Sequence, residues 1–299
     1  GLVGGGERVM QGEGTTGMRK RIGWRTGVRG AAIAAALLGS AGIAAASDAP
    51  CGVEKACQVD GGVYRVHLPA GWDGKSPLPG IVYFHGYQGT ADAVIANDGV
   101  TGAADELGVI LIVPDGMNKT WSFPGSPAHY RDEIAFIGAV LDDVEARYPV
   151  ETDTLVATGF SMGGSMAWFA ACSLGKRFAG FVPVAGAYWN PIPTDCPSPP
   201  PNLIQVHGTS DTVVPMAGRA IREVYRQSDV GDSLATWTRR AGCEAAPERA
   251  ELGSLSCERW RGCGGKLIEL CTHPGGHMIK PEWVVDGYRA LMRHLGRAG

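Results

Sequence analysis

No two of the eight cysteines in this 299-residue chain stand in a C-x-x-C spacing, and the seven histidines form no cluster. That pattern argues against a structural zinc site, whose thiolate and imidazole ligands stand close together in sequence. Basic excess is lacking too: Lys and Arg number 27 against 30 Asp and Glu, so nothing in the charge balance draws the chain to nucleic acid. The apolar stretch from Ala31 to Leu38 is too short and too Ala-rich to anchor a membrane. No internal repeat and no second composition break occur after residue 47, which leaves 47–299 as one domain of a size common for α/β folds.

The first 46 residues differ from the rest. Met18, Arg19, Lys20 and Arg21 supply a basic start, Ala31 to Leu38 an apolar centre and Ala44 to Ala46 a small-residue cleavage site. This reads as a secretory signal peptide, with translation starting at Met18 and residues 1–17 a non-native leader. Residues 1–46 hold six basic and two acidic residues, so the remainder carries 21 against 28, a formal charge of −7. All eight cysteines lie in that remainder, and an even count in an oxidising compartment implies up to four disulfides. Nearness in sequence favours Cys51–Cys57 and Cys257–Cys263, which leaves Cys172–Cys196 and Cys243–Cys271.

After residue 60 apolar runs of strand length alternate with longer stretches of helical period. Strands are expected at 62–68, 81–84, 110–113, 155–160, 181–184 and 203–206, with a late pair at 257–260 and 267–270. Helices are expected near 91–107, 132–148, 162–174, 216–227 and 281–295; in the second, Ile134, Ile137, Leu141, Val144 and Tyr148 share a face. Repeated β-then-α units predict an α/β fold with a mostly parallel central sheet and helices on both faces.

Three segments carry chemistry. Gly159-Phe160-Ser161-Met162-Gly163 is a G-x-S-x-G motif between an apolar strand and a helix, the context a nucleophile elbow requires. Asp211 follows the strand at 203–206, in His207-Gly208-Thr209-Ser210-Asp211, and His277 follows Gly275-Gly276. The order Ser, Asp, His is that of the α/β hydrolases. Serine is a weak nucleophile without a base in hydrogen-bond reach, and His277 is the choice for that base, with His273 its competitor. Asp211 would hold the imidazole in the needed tautomer, with Asp195 as the alternative carboxylate. The oxyanion hole would use the backbone N–H groups of Met162 and of Tyr87, in the loop after the strand at 81–84. His85, in the same loop, and Trp121 and Trp189 are candidates to touch substrate, the two indoles as part of an aromatic rim. The mechanism needs no metal and no cofactor.

These residues resemble the secreted polyhydroxybutyrate depolymerase and feruloyl esterase group. The likeness rests on Tyr83-Phe84-His85-Gly86-Tyr87, Pro114-Asp115-Gly116, the run from Asp132, Ala146-Arg147-Tyr148-Pro149, Gly159 to Gly164, Pro183 to Gly186, His207 to Asp211 and Gly275-Gly276-His277, and spans about residues 60–285. It implies an α/β-hydrolase fold, a Ser161–Asp211–His277 triad and a secreted carboxylesterase for esters of hydroxy acids or plant phenolics. Met162 stands where family members carry Asn, and Met278 to Trp283 where they carry Trp-Pro-Gly. A peptidase of the prolyl oligopeptidase type shares the triad order but carries a propeller domain this chain is too short to hold. A non-catalytic binding protein on the same scaffold would lack a triad member. The segment 187–202 holds six prolines, too few residues and too many breaks for a lid domain, so an open site that admits a polymeric ester is expected.

Overall fold

The computed structural model describes residues 51–297, so the expected leader and signal peptide, residues 1–46, lie outside the described residues. In chain order the elements are β1 (Cys57–Val59), β2 (Gly62–His67), β3 (Gly80–Phe84), α1 (Ala91–Ile95), α2 (Asp98–Leu107), β4 (Ile110–Pro114), α3 (Glu133–Arg147), β5 (Val156–Phe160), α4 (Met162–Leu174), β6 (Gly180–Val184) and β7 (Leu203–Gly208). There follow β8 (Arg219–Ile221), β9 (Tyr225–Gln227), α5 (Val230–Arg240), β10 (Glu248–Leu252), β11 (Leu255–Trp260), β12 (Ile268–His273) and α6 (Pro281–His294).

Among the described residues ten strands form one sheet in the order β1-β2-β4-β3-β5-β6-β7-β12-β11-β10. The six from β4 to β12 run parallel, as β-then-α alternation demands, and antiparallel strands extend both edges. Both faces are covered. Alternate residues of β3 show how: Val82 and Phe84 join the core under α3, α4 and α5, while Ile81 and Tyr83 join the core under α1, α2 and α6. The central strands β3 to β7 are almost wholly buried, which is why they read as continuous apolar runs.

Three expectations are corrected. The helix expected over 91–107 is two, because the Asn97 side chain accepts from the N–H groups of Gly99 and Val100 and restarts the helix there. The helix expected over 216–227 is the hairpin β8–β9. Its second strand, β9, docks on the segment after β6, with Asn190 N–H donating to the Arg226 carbonyl (2.9 Å) and Ser228 N–H to the Tyr188 carbonyl (2.9 Å). The true helix, α5, begins at Asp229, whose carboxylate caps it by accepting from Asp232 N–H. It buries Val230, Ser233, Leu234 and Trp237, a helical spacing.

The third correction concerns the disulfides. Cys51–Cys57 and Cys172–Cys196 are paired as expected, but the other two bonds are Cys243–Cys263 and Cys257–Cys271. Antiparallel pairing of β11 with β12 sets Cys257 directly opposite Cys271. Register across a hairpin thereby outranks nearness in sequence.

Candidate active site

The segment between β5 and α4 turns so sharply that Ser161 takes φ 58° and ψ −117°. Its neighbours must be small. A Cβ on Gly159 would strike the Gly163 backbone, and one on Gly163 would strike the Phe84 carbonyl. The turn lifts the Ser161 side chain to the carboxyl end of the parallel strands, where α/β sheets bind their ligands, and leaves the first N–H groups of α4 without intrahelical acceptors.

His277 reaches Ser161 from the loop between β12 and α6, 116 residues on. Its Nε2 lies 2.8 Å from Ser161 Oγ, and its Nδ1 2.7 Å from Asp211 Oδ2. With a carboxylate on Nδ1, the proton sits there, and Nε2 is left to accept the serine hydroxyl. The Phe160 ring packs against His277 at a centroid distance of 4.7 Å and helps fix its plane. Asp211 is buried, and its other oxygen, Oδ1, accepts from Val213 N–H and Val214 N–H, both at 2.8 Å.

Behind Asp211 a buried chain of hydrogen bonds runs into the core. Trp168 Nε1–H donates to Gln205 Oε1 (2.8 Å), and Gln205 Nε2 to His207 Nδ1 (2.9 Å). His207 Nε2–H in turn donates to the Val214 carbonyl (2.7 Å). Each member carries its proton toward the next, so His207 is a neutral imidazole. Burial lowers its pKa, against the opposing pull of Val214 and Asp211. The chain fixes the 211–214 turn, and so the carboxylate facing His277.

The loop after β3 lies against the nucleophile. A Cβ built on Gly86 would stand 3.3 Å from the Phe160 carbonyl and 3.7 Å from Ser161 Cβ. The next residue, Tyr87, exposes 65% of its surface, and its backbone N–H donates to no protein atom among the described residues. Gln88 N–H bonds the Lys119 carbonyl (2.8 Å), which ties this loop to the one after β4.

The expected substrate contacts need correction. His85 is 2% exposed, and both ring nitrogens are occupied, Nδ1 donating to the Gly86 carbonyl (2.9 Å) and Nε2 accepting from Gly116 N–H (2.8 Å). Trp121 is fully buried, tilted against His85, and donates from Nε1 to the His85 carbonyl (2.8 Å). Both hold the loop from behind and have no face to offer substrate. Trp189 is also buried, edge-on to Phe123. Val213 stands two residues after Asp211 and Met278 one after His277, and both side chains are exposed, as is that of Tyr87 in the loop against the nucleophile. Their signal in the sequence was that adjacency; aromatic character alone pointed inward to the core.

The competing residues stand apart. His273 is buried against Trp283 (4.3 Å between centroids), and its Nδ1 accepts from Gly275 N–H (3.0 Å). Burial, and then the Lys280 charge, lower its pKa. Asp195 is exposed on the 187–202 segment. The two groups of described residues with metal-ligand spacing, Cys51/Cys57/Asp143 and Cys257/Glu269/Cys271, each contain a disulfide, whose sulfurs are already bonded to each other.

The family model described as putative esterase matches residues 63–247. The chain is 27% identical over 228 residues to a probable feruloyl esterase C from Aspergillus niger, covering 74% of this chain and 77% of that protein. It is 31% identical over 242 residues to the putative esterase NocK of Nocardia uniformis, covering 72% and 69%. Among solved structures, an acetyl xylan esterase from Aspergillus awamori superposes with a TM-score of 0.53 at 14% identity, over 76% of this chain and 94% of that one. A feruloyl esterase module from Clostridium thermocellum, complexed with sinapinate, superposes with a TM-score of 0.53 at 15% identity, over 80% and 86%. At those identities the structural likeness speaks for the α/β-hydrolase fold.

Proposed function

Because the chain belongs to the putative esterase family, we propose that it is a secreted serine carboxylesterase working through Ser161, His277 and Asp211, on esters of hydroxy acids or phenolic acids. The observation that carries this reading is the pair of hydrogen bonds joining the three side chains, 2.8 and 2.7 Å long, across 116 residues of sequence. Ser161 Oγ attacks the acyl carbon as its proton passes to His277 Nε2, and Asp211 stabilises the imidazolium. The negative charge that develops on the carbonyl oxygen is received by the N–H groups of Met162 and Tyr87. Collapse expels the alcohol, which takes the proton from His277, and leaves an ester on Ser161. Water, deprotonated by the same imidazole, then attacks that ester, releases the acid and restores the serine.

Export is supported by four disulfides, which persist in oxidising compartments, and by the basic-then-apolar leader read from the sequence. The substrate class is supported by the feruloyl esterases among the relatives and by the exposed, lidless surroundings of Ser161.

Hydrolysis of p-nitrophenyl butyrate, methyl ferulate and a 3-hydroxybutyrate oligomer tests the reading. Turnover of at least one is expected, with Ser161→Ala lowering kcat by at least ~10⁴-fold. Asp211→Asn, which leaves the shape but spoils the tautomer, should cost ~10⁴-fold. No turnover of any ester by folded protein, or turnover that survives Ser161→Ala, would overturn it.

A further inference from the structure

Strand β12 ends at His273, and Pro274, Gly275 and Gly276 separate it from His277. Proline has no N–H to give and glycine is the least constrained residue, so this stretch cannot fix the imidazole by itself. Partners outside it do. Ser210 N–H donates to the Gly275 carbonyl (3.1 Å) and Thr209 N–H to the His273 carbonyl (2.9 Å), which zips the turn carrying Asp211 to the loop carrying His277. Gly208 lies so close that a Cβ there would strike the Gly275 and Gly276 carbonyls. The other polar group of Gly275, its N–H, donates to His273 Nδ1 (3.0 Å).

That bond sets the tautomer: Nδ1 accepts, so the proton of the neutral imidazole is on Nε2. The ring is 8% exposed and stacked on Trp283, and its buried Nε2 finds no partner among the described residues. A buried donor left unpartnered costs about 1–3 kcal/mol. Leucine or phenylalanine at the end of β12 would pack on Trp283 without that cost. What the imidazole supplies, and neither of those can, is the acceptor at Nδ1. It must be unprotonated to do so. Burial keeps it unprotonated and the Lys280 charge adds to that effect, while Asp211 opposes both.

We propose that His273 is a positioning residue: through Nδ1 it fixes Gly275, and Gly275 holds His277 in line with Ser161 and Asp211. The proposal rests on the reading of those three residues as the catalytic set. Both polar groups of Gly275 are then accounted for, one by His273 and one by the residue before Asp211, so a single glycine ties the base to the turn of its carboxylate. His273 acts only through this backbone. Its loss should displace the imidazole and leave the surface that meets substrate as it is, which lowers kcat and spares KM.

Leucine and asparagine share one branched shape, and both abolish the ring stack on Trp283, but only asparagine keeps an acceptor where Nδ1 stood. On p-nitrophenyl butyrate, His273→Leu should lower kcat ~10–10²-fold, the effect of a displacement of about 1 Å, with KM within about 2-fold. His273→Asn should keep kcat within about 3-fold of the parent. The far-downfield proton resonance of His277 Nδ1–H reports the bond to Asp211 and is read without substrate. It should persist in the parent and in His273→Asn, and weaken or vanish in His273→Leu. Circular dichroism establishes that each variant is folded, and His273→Ala takes the place of His273→Leu should that protein not fold. Should the parent turn over no ester, or should turnover survive Ser161→Ala, the esterase reading fails and the resonance alone decides the role of His273. Equal losses in the leucine and asparagine variants, an unchanged kcat or resonance in folded His273→Leu, or a rise in KM in place of a fall in kcat would each sink the proposal.

Discussion

Ser161 holds a backbone conformation that a non-glycine residue adopts only under constraint, at a cost of order 1–3 kcal/mol. The surrounding structure imposes it: Ser161 N–H is held by the Val184 carbonyl (2.9 Å), and its own carbonyl accepts from Ser165 N–H (3.0 Å). Such a site depends on residues that touch no substrate. Trp121 supports the His85 carbonyl, two residues before the proposed Tyr87 donor. In Trp121→Phe the loop loses that anchor, and kcat should fall by up to ~10²-fold, the effect of slight misplacement, with KM little changed. Steady-state kinetics on p-nitrophenyl butyrate reads this directly. His207 makes a prediction about pH. Its imidazole, and that of His273, bind a proton less readily in the fold than in the unfolded chain, where uptake occurs near 6.5. Stability is therefore full above pH 6.5 and drains as the pH falls below it, because the unfolded state takes up the protons first. Thermal unfolding from pH 7.5 to 5 should show that decline, and His207→Gln should make it shallower.

At the scale of elements, the segment from Ala187 to Asn202 separates this protein from lidded lipases. It is held to the body of the domain: Cys196 is bonded to Cys172 in α4, Ser198 N–H donates to the Cys172 carbonyl (3.1 Å), and Arg240 in α5 bonds the Cys196 and Ser198 carbonyls (2.8 and 3.2 Å). A segment tied at both of its neighbours has no freedom to open and close over Ser161. Rates on tributyrin should rise smoothly through its solubility limit, and a jump at the appearance of an oil phase would sink this account. The β8–β9 hairpin shows the limit of periodicity. Arg219 to Gln227 has residues acceptable in a helix, but its unsatisfied edge finds partners at Tyr188 and Asn190, and Arg222 turns the chain with φ 54°. α5 was legible by its spacing of 230, 233, 234 and 237 and by its Asp229 cap. The competing helix placed just before it obscured the signal.

On the scale of the molecule, the disulfides divide the work. Cys51–Cys57 closes a tight N-terminal loop, Cys172–Cys196 closes one of 24 residues, and the remaining two brace the antiparallel edge formed by β10, β11 and β12. A loop of that length gives an entropic contribution of about 3 kcal/mol. The Cys172→Ala/Cys196→Ala double variant should lose about that much in urea unfolding. It should also loosen the 187–202 segment to proteolysis before the rest of the domain.

The sequence by itself determined the parallel core, the nucleophile elbow and the order of Ser161, Asp211 and His277, because those features arise locally: buried strands are continuous apolar runs, and an elbow needs glycine on both sides. One disulfide, Cys51–Cys57, was legible from nearness in the chain; Cys172–Cys196 followed only by elimination, and nearness misplaced the other two. Only the tertiary structure decided what lies far apart in sequence. It brought Nε2 of His277 within 2.8 Å of Ser161 and fixed the strand register that pairs Cys257 with Cys271. It also turned His85, Trp121 and Trp189 inward, where packing holds the loop, and left Tyr87, Val213 and Met278 outside. The reason is physical. A residue type states what a side chain is able to do, while burial and the partners of each polar atom decide which of those things it does, and both are properties of the folded chain.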